Sequence, residues 1–433
     1  MRRTVLAWIA VISLGLACGA LEGARRPRYG GTLRLALRAQ VRNLDPSDLA
    51  VEPLEAAAKE KVVRQVFETL VRLDEAGRPQ PQLAREWTHD EVKKQWLFLP
   101  RAGVEFHNGV PWSPAPGSLA YPDDVPLDQL LRELARPQNA ITLRASDGTL
   151  LGTGPFRVAE FQPGKLVKLT AHESYWGGRA FLDAVEVRMA RSYAEQALDL
   201  ELGQVDVVEL PVTGVRRARQ RGDPVATSAP LEIVALVIDR TKPPTEAVRE
   251  ALALTLDRPA IQGVLLQRMG EPSAALLAQW LSGYAFAFPV DRDIAKARQL
   301  AAGAPLVPFR YDRTDPVLRP VAERIALDAS EAGLRLAAGA GEGGVRLTTW
   351  RITSTEPREA LIELGRFAGS APPKRGTSYE RERALLDGRF ILPIAHLPAC
   401  YALNSRVQGW IGAKWLPSDR WDLGSIWLAE AAR

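Results

Sequence analysis

The sequence predicts an α/β protein in which helices cover the faces of β-sheets. Segments with an apolar residue at every second position, typical of strands, alternate with segments whose apolar residues recur every three or four positions, typical of helices. Apolar residues make up 46% of the chain and charged residues 25%, close to the averages of soluble globular proteins. The length of 433 residues suffices for about two to four domains, or for one two-lobed body with a large core.

The first strand and the first helix begin this alternation. Residues 32–38 alternate with period two, which places Leu33, Leu35 and Leu37 on one face of a strand. Residues 53–73 carry a broad apolar face at helical spacing, so they predict one long helix. The remaining chain continues in the same way, and no internal repeat indicates a solenoid or a propeller.

Tight turns and helix caps mark further elements. Asn108 and Gly109 indicate a hairpin between two short strands, because both residues tolerate positive φ. Ser192 and Glu195 have the spacing of a capping box, in which each side chain accepts a hydrogen bond from a backbone N–H at the helix start. Further predicted strands are 95–99, 103–106, 140–144, 156–158, 166–170, 185–189, 205–210, 232–238, 306–311 and 345–350, and further predicted helices are 126–135, 245–256, 259–268, 293–302 and 315–332.

The N-terminus predicts an export signal at residues 1–20. Two arginines precede an apolar run at residues 4–17, which is shorter than the ~18 residues typical of a membrane span. The run ends in a lipobox-like sequence at Cys18, although Gly15 occupies the position where that pattern has Leu. Two processing routes stay open: lipidation of Cys18, or cleavage within the small residues through Ala20. General secretion fits these residues better than twin-arginine export does.

Charge and cysteine content exclude several classes of protein. Lys and Arg total 56 against 51 for Asp and Glu, a surplus of +5 that is too small and too evenly spread to indicate nucleic-acid binding. The chain has two cysteines, Cys18 and Cys400, so no internal disulfide forms if Cys18 is lipidated or removed. Cys400 lies in an apolar stretch and is predicted to be a buried, unreactive thiol.

No motif of catalysis or cofactor binding fits its context. Residues 339–344 match the glycine pattern of a dinucleotide site, but a strand-like segment follows them instead of a helix, so they predict a flexible hairpin. The four histidines are far apart in the sequence, and none has a partner at metal-ligand spacing. The sequence therefore predicts no cofactor, no metal site and no enzyme activity.

Nine short motifs occur in the order found in bacterial extracellular solute-binding proteins of the oligopeptide/dipeptide/nickel class. The chain resembles this family over nearly all of its length after the export signal, and the order of the motifs is more specific than any one of them. The motifs are residues 29–34 (YGGTLR), 43–46 (NLDP), 67–72 (FETLVR), 81–87 (PQLAREW), 103–111 (GVEFHNGVP), 152–156 (GTGPF), 175–178 (YWGG), 203–206 (GQVD) and 248–258 (VREALALTLDR).

The resemblance implies a two-lobed, periplasmic-binding-protein-like (type II) α/β fold with mixed sheets and a hinge. Its first lobe would comprise residues 25–230 plus 392–433, with a reduced insertion subdomain at 110–151, and its second lobe residues 231–391. A small-molecule or peptide ligand would be captured between the lobes and delivered to the permease subunits of an ABC importer. The protein is expected to be a monomer in the periplasm or on the outer face of the cytoplasmic membrane, and its only contact with the membrane would be a lipid on Cys18 if that route of processing is used.

The ligand site implied by the resemblance begins at Trp350 and includes Arg351, Thr353 and Ser354. Peptide-binding members place an Asp three residues after this Trp, where it pairs with the α-amine of the peptide. This chain has Thr353 there, and a hydroxyl cannot replace a charge-assisted hydrogen bond, so capture of peptides in that way is in doubt. Two questions stay open: whether Trp350 covers the ligand or packs in the core, and whether Arg351 meets an anionic group or points to solvent.

Two other functions remain as alternatives to transport. A protein of the same fold can serve in the envelope as a sensor or an interaction subunit. An envelope hydrolase has less support, because the sequence offers no nucleophile or metal with a positioned base.

Overall fold

The structure is a computed structural model that describes residues 26–48, 50, 52–74, 77–284, 287–288, 291–339, 343–410 and 421–430. The predicted export signal and Cys18 lie outside these residues. None of the helices in the described ranges is long and apolar enough to cross a membrane.

The N-terminal half, up to residue 224, combines short strands with a few helices. Its strands are β1 (Thr32–Ala36), β2 (Val71–Leu73), β3 (Pro79–Pro81), β4 (Ala84–Asp90), β5 (Gln95–Pro100), β6 (Ala120–Pro122), β7 (Leu143–Arg144), β8 (Leu150–Leu151), β9 (Phe156–Gln162), β10 (Leu166–Ala171), β11 (Ala184–Arg188) and β12 (Val207–Leu210). Its α-helices are α1 (Pro53–Val66), α2 (Leu127–Leu134), α3 (Tyr193–Glu201) and α4 (Val215–Arg221).

The C-terminal half is richer in helices. Its strands are β13 (Val225–Ile238), β14 (Glu271–Pro272), β15 (Val307–Arg310), β16 (Leu336–Ala338), β17 (Val345–Arg351), β18 (Ile391–Leu403), β19 (Val407–Gln408) and β20 (Trp427–Leu428). Its α-helices are α5 (Glu246–Thr255), α6 (Arg258–Ala260), α7 (Gln279–Ser282), α8 (Ile294–Leu300), α9 (Leu318–Glu331), α10 (Pro357–Phe367) and α11 (Ser378–Leu386). A π-helical turn (Ile261–Leu265) continues α6.

Within the described residues, eleven strands form one mixed sheet that runs through both halves. The order is β16-β15-β17-β13-β18-β12-β1-β11-β10-β9, and β14 also pairs with β18. β1 pairs in parallel with β11 and β12, whereas β13 pairs antiparallel with β17 and β18. The long strands β13 and β18 therefore join the two halves of the molecule.

The pairing of β13 with β18 is irregular where the two halves meet. Pro230 lies opposite Pro398, and the register shifts on both sides of this pair. A third shift falls between Val234 and Ala235, next to Pro393. Because proline has no N–H to donate, the hydrogen-bond ladder is interrupted at these positions. The backbone between the halves is therefore held by fewer hydrogen bonds than a regular pair of strands would have.

Helices and loops bury both faces of the sheet. Leu33, Leu35 and Leu37 share one core with residues of α1, which confirms the predicted face of the first strand. In the C-terminal half, Val234 of β13 faces a core that contains residues of α5 and α9, and Ile233 faces a second core with residues of α10. Successive residues of β13 thus point to opposite faces, as the geometry of a strand requires.

The first helix is shorter than the sequence predicts. α1 ends at Val66 instead of residue 73, because Phe67 is already extended with φ −119°. Glu68 follows in extended backbone, and its buried carboxylate accepts hydrogen bonds from Thr153 and Tyr175. The apolar pattern of residues 67–73 fits a helix equally well, but these distant donors stabilise the extended conformation.

The predicted turn and helix cap form, but residues 103–106, predicted as a strand of the hairpin, form no strand, and Glu105 makes only an isolated bridge to Pro111. Gly109 adopts φ +80° and its N–H donates to the carbonyl of Phe106. Ser192 and Glu195 form both hydrogen bonds of the capping box at the start of α3. Cys400 is buried in β18 and, within the described residues, takes part in no disulfide.

The predicted hairpin at residues 339–344 is wrong. β16 and β17 both run parallel to β15, one on each side of it, so the segment between them passes the end of β15. Gly344 has φ +80°, and a Cβ there would lie 2.3 Å from the carbonyl oxygen of Pro308. The close passage over β15 explains this glycine, while residues 340–342 lie outside the described part of the chain.

Candidate functional site

The segment that follows β17 carries the predicted ligand residues and lies against the N-terminal half. α1 packs beside β17. The hydroxyl of Thr355 lies so close to Gly77 that a Cβ on that glycine would be 2.5 Å from the oxygen. Arg136 forms an ion pair with Glu359 at the start of α10. Residues 353–359, which we call the interface segment, therefore line the boundary between the two halves.

Trp350 and Arg351 are buried at the end of β17. Trp350 is 3% exposed and packs in the core with Phe367, with 6.1 Å between the ring centroids. Arg351 is 7% exposed, and its Nε lies 3.1 Å from Oε1 of Glu232 on β13. Arg351 thus points to a carboxylate within the protein and not to solvent. Both residues end β17, two or three positions before the interface segment begins.

Thr353 holds a half-buried carboxylate at this boundary. Its N–H and its hydroxyl donate to the carboxylate of Glu363 on α10, at 3.3 and 3.1 Å. Burial raises the pKa of Glu363 to about 7, the hydrogen bonds from Thr353 lower it, and the charge of Glu60 on α1 raises it. Ser354 accepts a hydrogen bond from the N–H of Glu356 (3.1 Å), which fixes the turn before α10. The site therefore contains a carboxylate that can accept hydrogen bonds from a cation.

A second group of charges joins the halves at Arg38, just after β1. Its Nη1 lies 3.3 Å from Oδ2 of Asp315, which precedes α9. Its backbone N–H donates to Glu209 (2.6 Å), and its guanidinium lies 4.2 Å above the ring of Tyr193. Burial disfavours the charged guanidinium, but Tyr193, Glu209, Glu232 and Asp315 together raise the pKa of Arg38 above its ordinary value. Arg38 therefore stays charged at the boundary.

The histidines do not form a metal site. His107 and His172 meet edge to face, with 5.0 Å between ring centroids, although they are far apart in the sequence. His107 Nε2 and His172 Nδ1 both contact the carbonyl of Gly154, at 3.2 and 3.1 Å. In the described part of the chain, no group of three or more His, Cys, Asp or Glu side chains is placed to hold a metal ion.

The sequence analysis missed Glu363, Arg38 and Asp315. Glu363 lies ten residues beyond Thr353 and approaches it only because α10 folds back along the interface segment. Arg38 and Asp315 are 277 residues apart and meet only when the two halves come together. No local pattern marks such residues, because their partners are set by tertiary packing.

A mixed sheet continued through two halves by a pair of crossing strands is the architecture of two-lobed periplasmic binding proteins. The family described as bacterial extracellular solute-binding proteins, family 5 (middle region), matches residues 113–337. The match covers more than half of the chain, and the chain belongs to this family. The nickel-binding periplasmic protein of Escherichia coli (strain K12) is 25% identical over 247 residues, which are 45% of this chain and 47% of that protein. This chain spans about half the length of the curated relatives it matches.

Solved structures show the same fold. The oligopeptide-binding protein AppA of Bacillus subtilis, in complex with a nonapeptide, superimposes with a TM-score of 0.75 at 15% identity, covering 94% of this chain and 100% of that one. The binding protein MoaA from A. tumefacien R10, in complex with mannopinic acid, gives a TM-score of 0.76 at 18% identity, covering 93% and 100% of the two chains. The predicted two-lobed α/β fold with a mixed sheet is thereby confirmed.

Proposed function

We propose that this protein is the extracytoplasmic solute-binding component of an ABC importer. It captures a small molecule or a peptide between its lobes and delivers it to the permease subunits. Family membership supports this function. The observation that carries it is the position of the interface segment, which belongs to the C-terminal half and contacts α1, Gly77 and Arg136 of the N-terminal half. A ligand placed at this boundary contacts both halves and favours the closed state.

The lobes in this proposal are residues 25–230 plus 392–433 and residues 231–391. The first lobe includes the reduced insertion subdomain at 110–151. The interrupted pairing at Pro230 and Pro398 supports this division, because a strand pair with missing hydrogen bonds bends more easily than a regular pair.

The proposed ligand has a cationic group that binds beside Glu363. Thr353 orients this carboxylate, and the second carboxylate, Glu60, belongs to the opposite half. An ammonium or guanidinium group would form charge-assisted hydrogen bonds with Glu363. Trp350 and Arg351 would support the site from behind, and Ser354 would fix the turn that leads to α10.

The remaining parts of the proposal concern location and assembly. The protein acts as a monomer in the periplasm or on the outer face of the cytoplasmic membrane, exported by residues 1–20, with a lipid on Cys18 as its only anchor. Catalysis, cofactors and metals have no role in the proposed function.

The first test is a search for the bound solute. The protein is isolated from the cell envelope, and its native and denaturing mass spectra are compared for a small molecule that unfolding releases. We expect a ligand with an amine or guanidine group. The transport function is contradicted if nothing is released and a panel of peptides and metabolites leaves the melting temperature unchanged, because a ligand that binds the folded state must raise it.

The second test concerns Glu363. Glu363→Gln should weaken binding of the cationic ligand about tenfold or more, since it removes a charge-assisted bond. In the wild type, affinity should fall below pH 7, by up to about tenfold per pH unit, because protonated Glu363 does not attract a cation. Glu323→Gln, on the exposed face of α9, is the control and should change neither result. Equal affinities of both variants would show that the ligand lies elsewhere.

A further inference from the structure

A groove separate from the interface segment lies between α4 and the π-helical turn that follows α6. Its volume is about 650 Å³, and it is open to solvent. Val215 is buried, and Gly263 and Met269 are half-buried, so the groove has an apolar lining along part of its surface. The exposed Val264 adds an apolar side chain at its edge. None of these residues belongs to the proposed solute site.

The charged residues of this groove all have the same sign. Arg216 and Arg219 line it from α4, Arg268 lines it from the opposite element, and no Asp or Glu takes part. Among the described residues, none of these three guanidinium groups has a hydrogen-bond or ion-pair partner. Arg221 on the same helix differs, because it pairs with Glu201 and with a second carboxylate, Asp223. The groove therefore concentrates positive charge that the surrounding protein does not neutralise.

The loop that carries Arg268 has a strained backbone. Gln267 and Arg268 have φ of +52° and +61°, a left-handed conformation that is unfavourable for residues other than glycine. The N–H of Arg268 donates to the carbonyl of Gln262 (2.9 Å), and the side-chain amide of Gln267 donates to the carbonyl of Thr213 (3.1 Å). These bonds hold Arg268 opposite α4 despite the strain.

We propose that this groove binds an acidic segment of a partner protein. Carboxylates of the segment would pair with Arg216, Arg219 and Arg268, since the planar guanidinium matches a carboxylate with two parallel hydrogen bonds. Apolar side chains of the segment would pack on Val264 and Met269. A concave groove with charges on two opposite walls fits an inserted chain better than the flat surface of a membrane. This interaction is independent of solute capture.

The test uses the full chain and a fluorescein-labelled peptide of alternating Glu and Leu. Binding is measured by fluorescence anisotropy at low salt and at physiological salt. A peptide with Gln in place of Glu reports non-specific binding. We expect the acidic peptide to bind and its affinity to fall with salt. The double variant Arg216→Glu/Arg219→Glu should weaken binding about tenfold or more. Arg217→Glu is the matched control: Arg217 is exposed on the same helix but does not line the groove.

Several results would overturn the proposal. One is that the acidic peptide does not bind. Another is that the double variant and Arg217→Glu lose affinity for the acidic peptide equally. A third is that the Gln peptide binds as tightly as the acidic peptide. Arginine-dependent binding to phosphatidylglycerol vesicles without peptide binding would assign the groove to a membrane surface. A dimer in sedimentation that the double variant abolishes would assign it to a second copy of this chain. If the double variant loses peptide binding but keeps its melting temperature and still releases the solute, the groove has a role separate from transport. A failure of the groove proposal would then not count against the proposed transport function.

Discussion

Glu68 connects four segments that are distant in the sequence. Its side chain is 2% exposed and accepts hydrogen bonds from Thr153 (2.9 Å), Tyr175 (2.8 Å), Trp176 (2.9 Å) and Gln82 (3.2 Å). Burial raises the pKa of Glu68, whereas these four bonds lower it. Each of the five residues belongs to a motif on which the family resemblance rests. Four of the nine motifs therefore meet at one buried carboxylate, which indicates a structural role for these four.

Replacement of Glu68 should destabilise the fold. Glu68→Ala leaves four donors without their acceptor, and a buried donor without a partner costs about 1–3 kcal/mol. We expect a loss of about 3 kcal/mol or more and a melting temperature lower by several degrees. Glu86→Ala, at a side chain that is 56% exposed, should change stability by less than about 0.5 kcal/mol. Similar melting temperatures for the two variants, measured by circular dichroism, would contradict a structural role for the network.

At the proposed solute site, the sequence identifies the segment that carries the ligand residues but not the charged group that would bind the ligand. Thr353 marks the missing Asp, yet the carboxylate of Glu363 that lies beside it comes from the next helix. The side chain of Trp350 is chemically suited to cover a ligand. Its burial, at 3% exposure, results from the packing of β17 against α10 and could not be read from the sequence. The order of the motifs identifies the family and hence its fold. The side chains that meet across different elements depend on tertiary packing, which cannot be read from a single sequence.

At the level of elements, signals within a few residues of each other are reliable. The capping box of Ser192 and the turn at Gly109 involve neighbours in sequence, and both form as predicted. Signals that depend on partners far along the chain are weaker. α1 ends early because Glu68 finds distant donors, and residues 339–344 do not form a hairpin because β15 lies between β16 and β17. Strand order, unlike strand presence, is decided by such contacts.

His396, on the long strand β18, should make the free energy of unfolding depend on pH. This residue is 1% exposed, and burial lowers its pKa to about 4. Its Nε2 lies 3.0 Å from the carbonyl of Leu276, while Nδ1 is buried with no partner among the described residues. A proton added at Nδ1 would place an unpaired charge between strands. The folded state therefore binds this proton more weakly than the unfolded state, whose pKa is about 6.5.

The sign of this effect follows from the lowered pKa. The contribution of neutral His396 is complete above about pH 6.5 and is lost as pH falls towards 4, by roughly 2–3 kcal/mol. His396→Gln keeps a donor for Leu276 and cannot titrate in this range, so melting temperature should fall less steeply with acid. His89→Gln is the control, because Asp123 and Glu91 raise the pKa of His89 and removing it cannot flatten the acid slope. Identical slopes for wild type and His396→Gln would exclude His396 as the source.

At the scale of the whole molecule, two halves are joined by one sheet, by hydrophobic cores that contain residues of both, and by charges across their boundary. Arg38 and Asp315 form a pair whose side chains are 20% and 13% exposed, and Arg136 pairs with Glu359. These contacts exist only when the halves are together. Interrupted pairing at Pro230 and Pro398 gives the connecting strands freedom to bend. These ion pairs help to hold the two halves in the arrangement observed here, and a mutation can remove each of them separately.

Asp315→Asn should favour the open arrangement without unfolding α9. Oδ1 of Asp315 accepts hydrogen bonds from the N–H groups of Val317 and Leu318, and Asn retains that oxygen. Loss of the charge facing Arg38 should cost the closed state about 1 kcal/mol, a factor of about five in the closed-to-open ratio. The radius of gyration from small-angle scattering should rise without ligand, and ligand affinity should fall by up to the same factor. Glu323→Gln is the control, because it removes an exposed carboxylate of α9 that pairs with Arg319 and not with Arg38, and it should leave both measurements unchanged. If both variants scatter like the wild type, the pair between Arg38 and Asp315 does not control closure.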